Sequence, residues 1–596
     1  MGVFAAIFER VARSLIRTGN QAPPTESSVT PNFAHLPQRV LRDTVSIPVT
    51  DRQGRPLHDD LLHFDLVATG DVSGEGTLSL KNILLVNLNL FATWLLRVML
   101  PLESASDLAR PAVVTDLDAV LRECEVTAET AKLAHRLRNV GFAADSEEMI
   151  VHFCLSGIGA PDLTECLPPI TKRAHHKRDS LNSMTSMTTS GSERETAQQS
   201  QARDISEVAE RGDADIPVQY EVDYLFMGAW EVRAGFLRYG ARAVLICEGG
   251  QWSLDRIDLP ANLPGFQVAS HRPGSPKWAE AKQRFRVACR LHATLVHLIH
   301  IHLISASSLS IAVAETLSGS NPLHQFLRRF VYHTATINSL ARDILLPKRG
   351  VLHRVTGLTE QGLEHAIAGV FGRYPRTWNM PAQVPTSLQF GDSPYWDDLG
   401  CVHARWWIVV HDRLLAALKA DVGKGGVHRD EWRAFLRKMS VMLPPGVFKV
   451  SDHYGGSGSD LEETRVVTPL GDLLVRLLMH VSGLHEVFGT DLAYVSDPLL
   501  CTLALRPGAS DAERLPTTDQ VAMTRLLGLI TALPMTEFLG TYPQLVHHNH
   551  VHLKAFCDAW PEMWEPVSAE INERNLHRHP PYPDFDPVNL TISVGT

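Results

Sequence analysis

A mainly helical fold with a small β subregion is what the sequence predicts, on three observations. From Pro276 onward apolar residues recur at helical spacing in long windows, Pro and Gly fall mainly between those windows, and β-like runs are confined to two short stretches. The windows are Trp278–Leu317, Leu323–Leu346, Tyr395–Ala420, Asp430–Met442, Leu470–Phe488, Thr518–Ala532 and His552–Asn575. Earlier in the chain, Leu117–Val140 and Ser146–Leu155 show the same spacing. The β-like runs are VQYEVDYLFM and ARAVLICEGGQWSLDRIDLP, the second broken in hairpin fashion by Gly249 and Gly250.

Four regions follow. Residues 1–40 read as an extension: Val3, Phe4, Ile7, Phe8, Val11, Leu15 and Ile16 line one side of a short basic amphipathic helix, and a Pro/Ser/Thr/Asn-rich lead-in occupies 19–35. That helix suits peripheral contact with a membrane surface, or a plain packed terminus; Ala6 stands where a myristoylation signal on Gly2 wants Ser or Thr. Residues 41–171 form a first helical part, in which the apolar stretch Ile83–Leu102 is interrupted by Asn87, Asn89 and Arg97 and reads as a buried helix rather than a membrane span. Residues 172–215 contain almost no large apolar side chain, so burial there cannot offset ordering entropy and a disordered insertion is expected. Residues 216–596 carry the densest chemistry. No internal repeat is visible.

Composition narrows the function. With 596 residues, 44% hydrophobic and 20% charged, the chain is long enough to bury an active site, and its net charge of -10 gives no reason to expect nucleic-acid binding. An anionic substrate would be held by apolar burial plus a local Arg or Lys. The eight cysteines lie far apart without a CxxC pair, which suits neither a zinc module nor a disulfide framework; reduced thiols and a cytoplasmic location are the expectation.

The chemical centre is CRLHATLVHLIHIHLISASSL, which sets His292, His297, His300 and His302 among Leu and Ile on one helix. Residues five apart diverge by about 140° on a regular α-helix, so His292 and His297 face one metal only if a π-type bulge intervenes. Neutral imidazoles suit iron, manganese, cobalt, nickel, copper or zinc. Histidines hydrogen-bonded within a core are the plain alternative, but leaving several buried imidazoles unsatisfied costs about 1–3 kcal/mol each. No HExxH is present, so a zinc protease has no support.

Trp278, the His-x4-His-x4-His helix, Asn321-Pro322-Leu323-His324, His333, Asn338 and Ala341-Arg342 together resemble the iron-binding region of lipoxygenases. The stretch Asp145–Pro161 is similar to that family's segment ending in Gly-x-Asn-Pro, with Ala160 for the Asn. Pro394-Tyr395-Trp396-Asp397-Asp398, LGTYPQL, Ile571–Asn575 and PPYP resemble later family elements, so the likeness covers about residues 80–596. It implies a divergent, microbial-type lipoxygenase-type helical domain; a β-sandwich lipid-binding domain is not recognisable ahead of it.

By the same resemblance the metal ligands are His292, His297 and, within VSGLHEVFGT, His485. The fourth family ligand falls on Gly489, which has no donor, and Val594 aligns with the family's terminal residue, leaving the Thr596 carboxylate or water to complete the site. His302, Glu486 and His480 are expected beside the ligands. A non-haem iron, or manganese, would then serve a dioxygenase that takes hydrogen from a bis-allylic carbon of a polyunsaturated fatty acid or lipid and adds O2 to give a hydroperoxide. The resemblance also admits a fatty-acid hydroperoxide isomerase, or an inactive lipid-binding homologue. Leu291, Leu295, Leu298 and Ile299 are candidates for an apolar channel or for plain core, and His547, His548, His550 and His552 for a minor rival metal cluster.

Overall fold

The structure, a computed structural model, describes residues 43–45, 64–66, 141–166 and most of 218–594. The expectations for 1–40, 83–102, 117–140 and 172–215, most of the 518–532 helix, His333, Ala341-Arg342 and Thr596 fall outside the described residues.

Helix α1 (Glu147–Leu155) begins where the sequence places it, because the Ser146 side chain accepts from the Met149 amide and acidic Glu147 and Glu148 fill the first turn. A five-stranded antiparallel sheet follows: β3 (Leu163–Glu165), β4 (Val218–Asp223), β5 (Arg242–Glu248), β6 (Gln251–Pro260) and β7 (Val268–His271), paired in that order. A separate short pair, β1 (Asp43–Val45) with β2 (Phe64–Leu66), precedes it. Since β3 pairs directly with β4, the 172–215 tract joins two neighbouring strands of one sheet. The β5–β6 hairpin is the predicted one, closed at Gly250 with φ 77°, a conformation glycine adopts without steric cost.

The centre is α2, a continuous helix over Trp278–Thr316. It is long and apolar enough to cross a membrane, yet 89% of its most apolar window is buried inside the protein, as a core helix requires. Its first turn is tied to α1 by the Trp278 indole, which donates to Glu147 Oε1 at 2.9 Å. Short helix α3 (Pro322–Leu327) has Asn321 as its cap and Pro322 in its first turn; the Asn321 oxygen accepts from the Leu323 amide at 2.9 Å, while its NH2 donates to Glu431 at 2.6 Å.

Further along the chain come α4 (Glu360–Phe371), α5 (Tyr374–Trp378), α6 (Pro394–Ile408, continuing to Val422), α7 (Val427–Met442), α8 (Thr468–Met479, continuing to Phe488), α9 (Val551–Asp558) and α10 (Trp560–Asn575); α4, α7 and α8 pack on α2, whereas α9 and α10 pack on α6. A core of Trp406, Trp560, Trp564, Phe330 and Phe538 joins α6 to α10, with Trp406 and Trp564 rings 4.8 Å apart. Such aromatic pairs add about 0.5–1.5 kcal/mol beyond their area burial. Leu291, Leu295 and Ile299 belong to the hydrophobic core, and Leu298 packs against it.

Candidate metal centre

Two helices deliver the site, and both change their winding to do so. In α2 the regular α-helix ends at Val296, and His297–Ala306 is a π-helix; in α8 a π-turn over His480–Leu484 precedes His485. In the π segment i→i+5 bonding brings residues five apart onto one face. The result is a group of three: the metal-binding atoms of His297, His302 and His485 all lie within 4.8 Å of one another. His302 Nε2 is 3.1 Å from His297 Nε2 and 3.3 Å from His485 Nε2.

The His-x4-His-x4-His helix offers two pairs of equal spacing, and the structure uses the second. His292 lies in the regular α segment, where a five-residue step diverges, so it is set apart from the three. The structure thus places His302 in the group and His292, the expected ligand, outside it.

The second nitrogen of each ring decides what the group can hold. Asn338 donates through its NH2 to the His302 carbonyl at 2.9 Å and to Ser307 Oγ at 2.7 Å, which leaves its oxygen facing His302 Nδ1 at 3.1 Å. His302 therefore carries its proton on Nδ1. His485 Nδ1 likewise faces the Glu486 carboxylate at 3.3 Å, and Glu486 also accepts from the Thr591 hydroxyl. Two imidazoles that have committed their Nδ1 protons elsewhere thus point Nε2 lone pairs at each other, an arrangement that repels unless a cation lies between them. Burial pushes the His302 pKa down to about 4, against the opposing effect of its bond to Asn338, so the ring is neutral and its lone pair available. For metal–nitrogen bonds of about 2.1 Å, neighbouring donors stand about 3.0–3.4 Å apart at right-angled or tetrahedral geometry, and the His302–His297 and His302–His485 separations fall in that interval. The donor set fits a borderline metal ion.

The other expected residues are dispersed. Glu486 lies beside His485, as expected. His480 turns away, with Nδ1 2.8 Å from Ser305 Oγ and its ring edge-on to Tyr374 and Trp378. His300 is a satisfied core histidine: Nδ1 meets Thr377 Oγ1 at 2.8 Å and Nε2 meets the Val370 carbonyl at 2.7 Å. Gly489 stands on the wall of the group, where a Cβ would come 3.1 Å from His297 Cε1. Val594 is buried at the C-terminal end of the described chain. The His547 and His548 rings lie 4.2 Å apart, but among the described residues the one group of three with metal-binding geometry is His297, His302 and His485.

His292 has a different setting, which sequence reasoning missed. Its Nδ1 is 3.0 Å from Asp162 Oδ2, and the same oxygen accepts from the Tyr224 hydroxyl at 2.9 Å. Burial would raise the Asp162 pKa, but His292, Arg376 and the Tyr224 hydroxyl outweigh it and hold the carboxyl well below its usual range. The signal lay one residue beyond the Asp145–Pro161 stretch, since Asp162 immediately follows Pro161. A small void with room for about one water molecule lies here, lined by His292, Asp162, Arg373, Arg376 and Phe488 among others.

No family model and no curated protein sequence matches the chain. Solved structures do. A LOX variant superimposes with TM-score 0.57 at 16% identity, covering 86% of this chain and 73% of that one. An anaerobic LOX complex with arachidonate gives 0.54 at 15%, covering 86% and 73%, and the manganese lipoxygenase of Gaeumannomyces graminis gives 0.56 at 14%, covering 87% and 93%. The architecture is therefore that of the lipoxygenases, a mainly helical domain with a small sheet. The protein is a divergent lipoxygenase-fold chain.

Proposed function

We propose that the protein is a non-haem metal dioxygenase, with iron or manganese held by His297, His302 and His485, that inserts O2 into a polyunsaturated fatty acid to give a hydroperoxide. The observation that carries this reading is the convergence of three Nε2 atoms with two tautomers fixed by Asn338 and Glu486. When bound, the metal supplies the one-electron oxidant that removes a hydrogen atom from the lipid. The chain's own part is positional: Asn338 and Glu486 hold two rings by their distal nitrogens, and buried Val296, Ile301, Leu303 and Leu484 flank the three histidines along the chain. The lipid substrate is supported by the arachidonate bound to a LOX of the same fold.

A second reading, conversion of a preformed fatty-acid hydroperoxide, is favoured by Gly489, which puts no donor atom beside His297 and so leaves more of the metal open. Incubation of iron- and manganese-loaded protein with arachidonate under O2, and separately with its hydroperoxide, separates the two. Hydroperoxide formed with stoichiometric O2 uptake supports oxygenation. Consumption of added hydroperoxide without O2 uptake supports conversion, and inertness toward both, in protein that retains its metal, contradicts each.

A further inference from the structure

We infer that Thr591 is a positioning residue for the metal group: its hydroxyl fixes the Glu486 carboxylate against the His485 ring, so a side chain 105 residues further along aims a metal ligand through that ligand's neighbour. This rests on the metal-binding reading above. Side chains of consecutive helical residues point about 100° apart and do not face each other. His485 and Glu486 are consecutive residues of one helix, yet His485 Nδ1 lies 3.3 Å from Glu486 Oε1. A carboxylate turned back onto its neighbour's ring is held there from outside the helix, and Thr591 supplies the hold by donating to the same oxygen.

Thr591, His485 and Glu486 are all buried, so bulk water does not compete for these contacts. The hydroxyl does have a second acceptor in reach, the Ser593 carbonyl at 3.3 Å, the local bond a threonine makes when its role is confined to its own turn. One O–H serves the carboxylate first, because hydrogen bonds to ionised groups are the stronger class.

Other contacts seat the segment that carries Thr591. The Leu590 carbonyl accepts from the Phe538 amide at 3.1 Å, and Ile592 and Val594 are buried in the hydrophobic core. Removing the hydroxyl therefore leaves the segment docked and releases only the carboxylate. The other ring is backed in the same way. Asn338, the acceptor behind His302, is itself pinned through its NH2 to the His302 carbonyl and to Ser307 Oγ. Each of these two rings thus has an acceptor behind it, and each acceptor has an anchor of its own.

The test reads metal affinity, so turnover plays no part. Competition for Mn2+ against a calibrated chelator is measured on the full-length protein for wild type, Thr591→Val, Thr591→Ser, Glu486→Ala and the double variant Thr591→Val, Glu486→Ala. The expected result is a fall of about tenfold in Thr591→Val, the lower end of the effect of losing a group behind a ligand. Thr591→Ser, which keeps the hydroxyl, should bind as wild type does, and Thr591→Val should add little to Glu486→Ala, since both remove one interaction. Three results overturn the inference and leave the metal reading standing: affinity in Thr591→Val equal to wild type, an equal fall in Thr591→Ser, or the same fall with and without Glu486. Wild type that binds no Mn2+ overturns both. Thr591→Ala replaces Thr591→Val throughout, with the same outcomes, if the valine variant fails to fold.

Discussion

His302 and His485 face each other Nε2 to Nε2 at 3.3 Å although they lie 183 residues apart in sequence, and each binds its other nitrogen to a fixed acceptor. That contact joins α2 to α8 through the group the metal would occupy. Metal binding should therefore stabilise the pairing of these two helices, and each distal acceptor should matter to affinity without touching the ion.

Replacing Asn338 with Leu removes the acceptor that keeps the His302 proton on Nδ1. Metal affinity is expected to fall about 10- to 100-fold, the usual effect of losing a partner behind a ligand. Competition against a calibrated chelator reads this directly. Affinity equal to wild type would mean that the His302–Asn338 contact does not orient a ligand.

Gly489→Ala should weaken the site rather than strengthen it. Its Cβ would lie 2.9 Å from the His485 carbonyl oxygen and 3.1 Å from His297 Cε1, closer than either permits without movement. Lower metal occupancy at equal protein concentration is expected, and an occupancy at or above wild type would show that His297 can shift without loss.

His480 gives the pH dependence a sign. Burial pushes its pKa down to about 3, with the nearby His300 acting in the same direction, whereas the unfolded chain titrates near the usual value of about 6.5. Between those values the unfolded state binds the proton first, so stability is complete above about pH 6.5 and is lost as pH falls toward 3, at about 1.4 kcal/mol per unit from this group. Urea midpoints at pH 7 and pH 5 should differ less in His480→Gln than in wild type; an unchanged difference would mean that another group carries the acid sensitivity.

Much of this was legible in the sequence because the residues carry their own instructions. Apolar spacing fixed α2, α6 and α8 closely, the Gly249-Gly250 break gave the β5–β6 hairpin, and the π-bulge followed from asking how histidines five apart could share a face. What could not be read was where the bulge begins. Two His-x4-His pairs are equivalent on paper, and only the switch of backbone hydrogen bonding at His297 chooses between them. The Asp162–His292 contact was hidden for a related reason: its partners are 130 residues apart and meet only once the single 3-10 turn Ala160–Asp162, directly before β3, lies against α2.

The most direct test of the central claim is elemental mass spectrometry of freshly purified wild type, His302→Ala and His292→Ala. The account predicts near-stoichiometric iron or manganese in wild type, its loss in His302→Ala and its retention in His292→Ala. Retention in His302→Ala with loss in His292→Ala would contradict the assignment of His297, His302 and His485 and return the site to the first histidine pair.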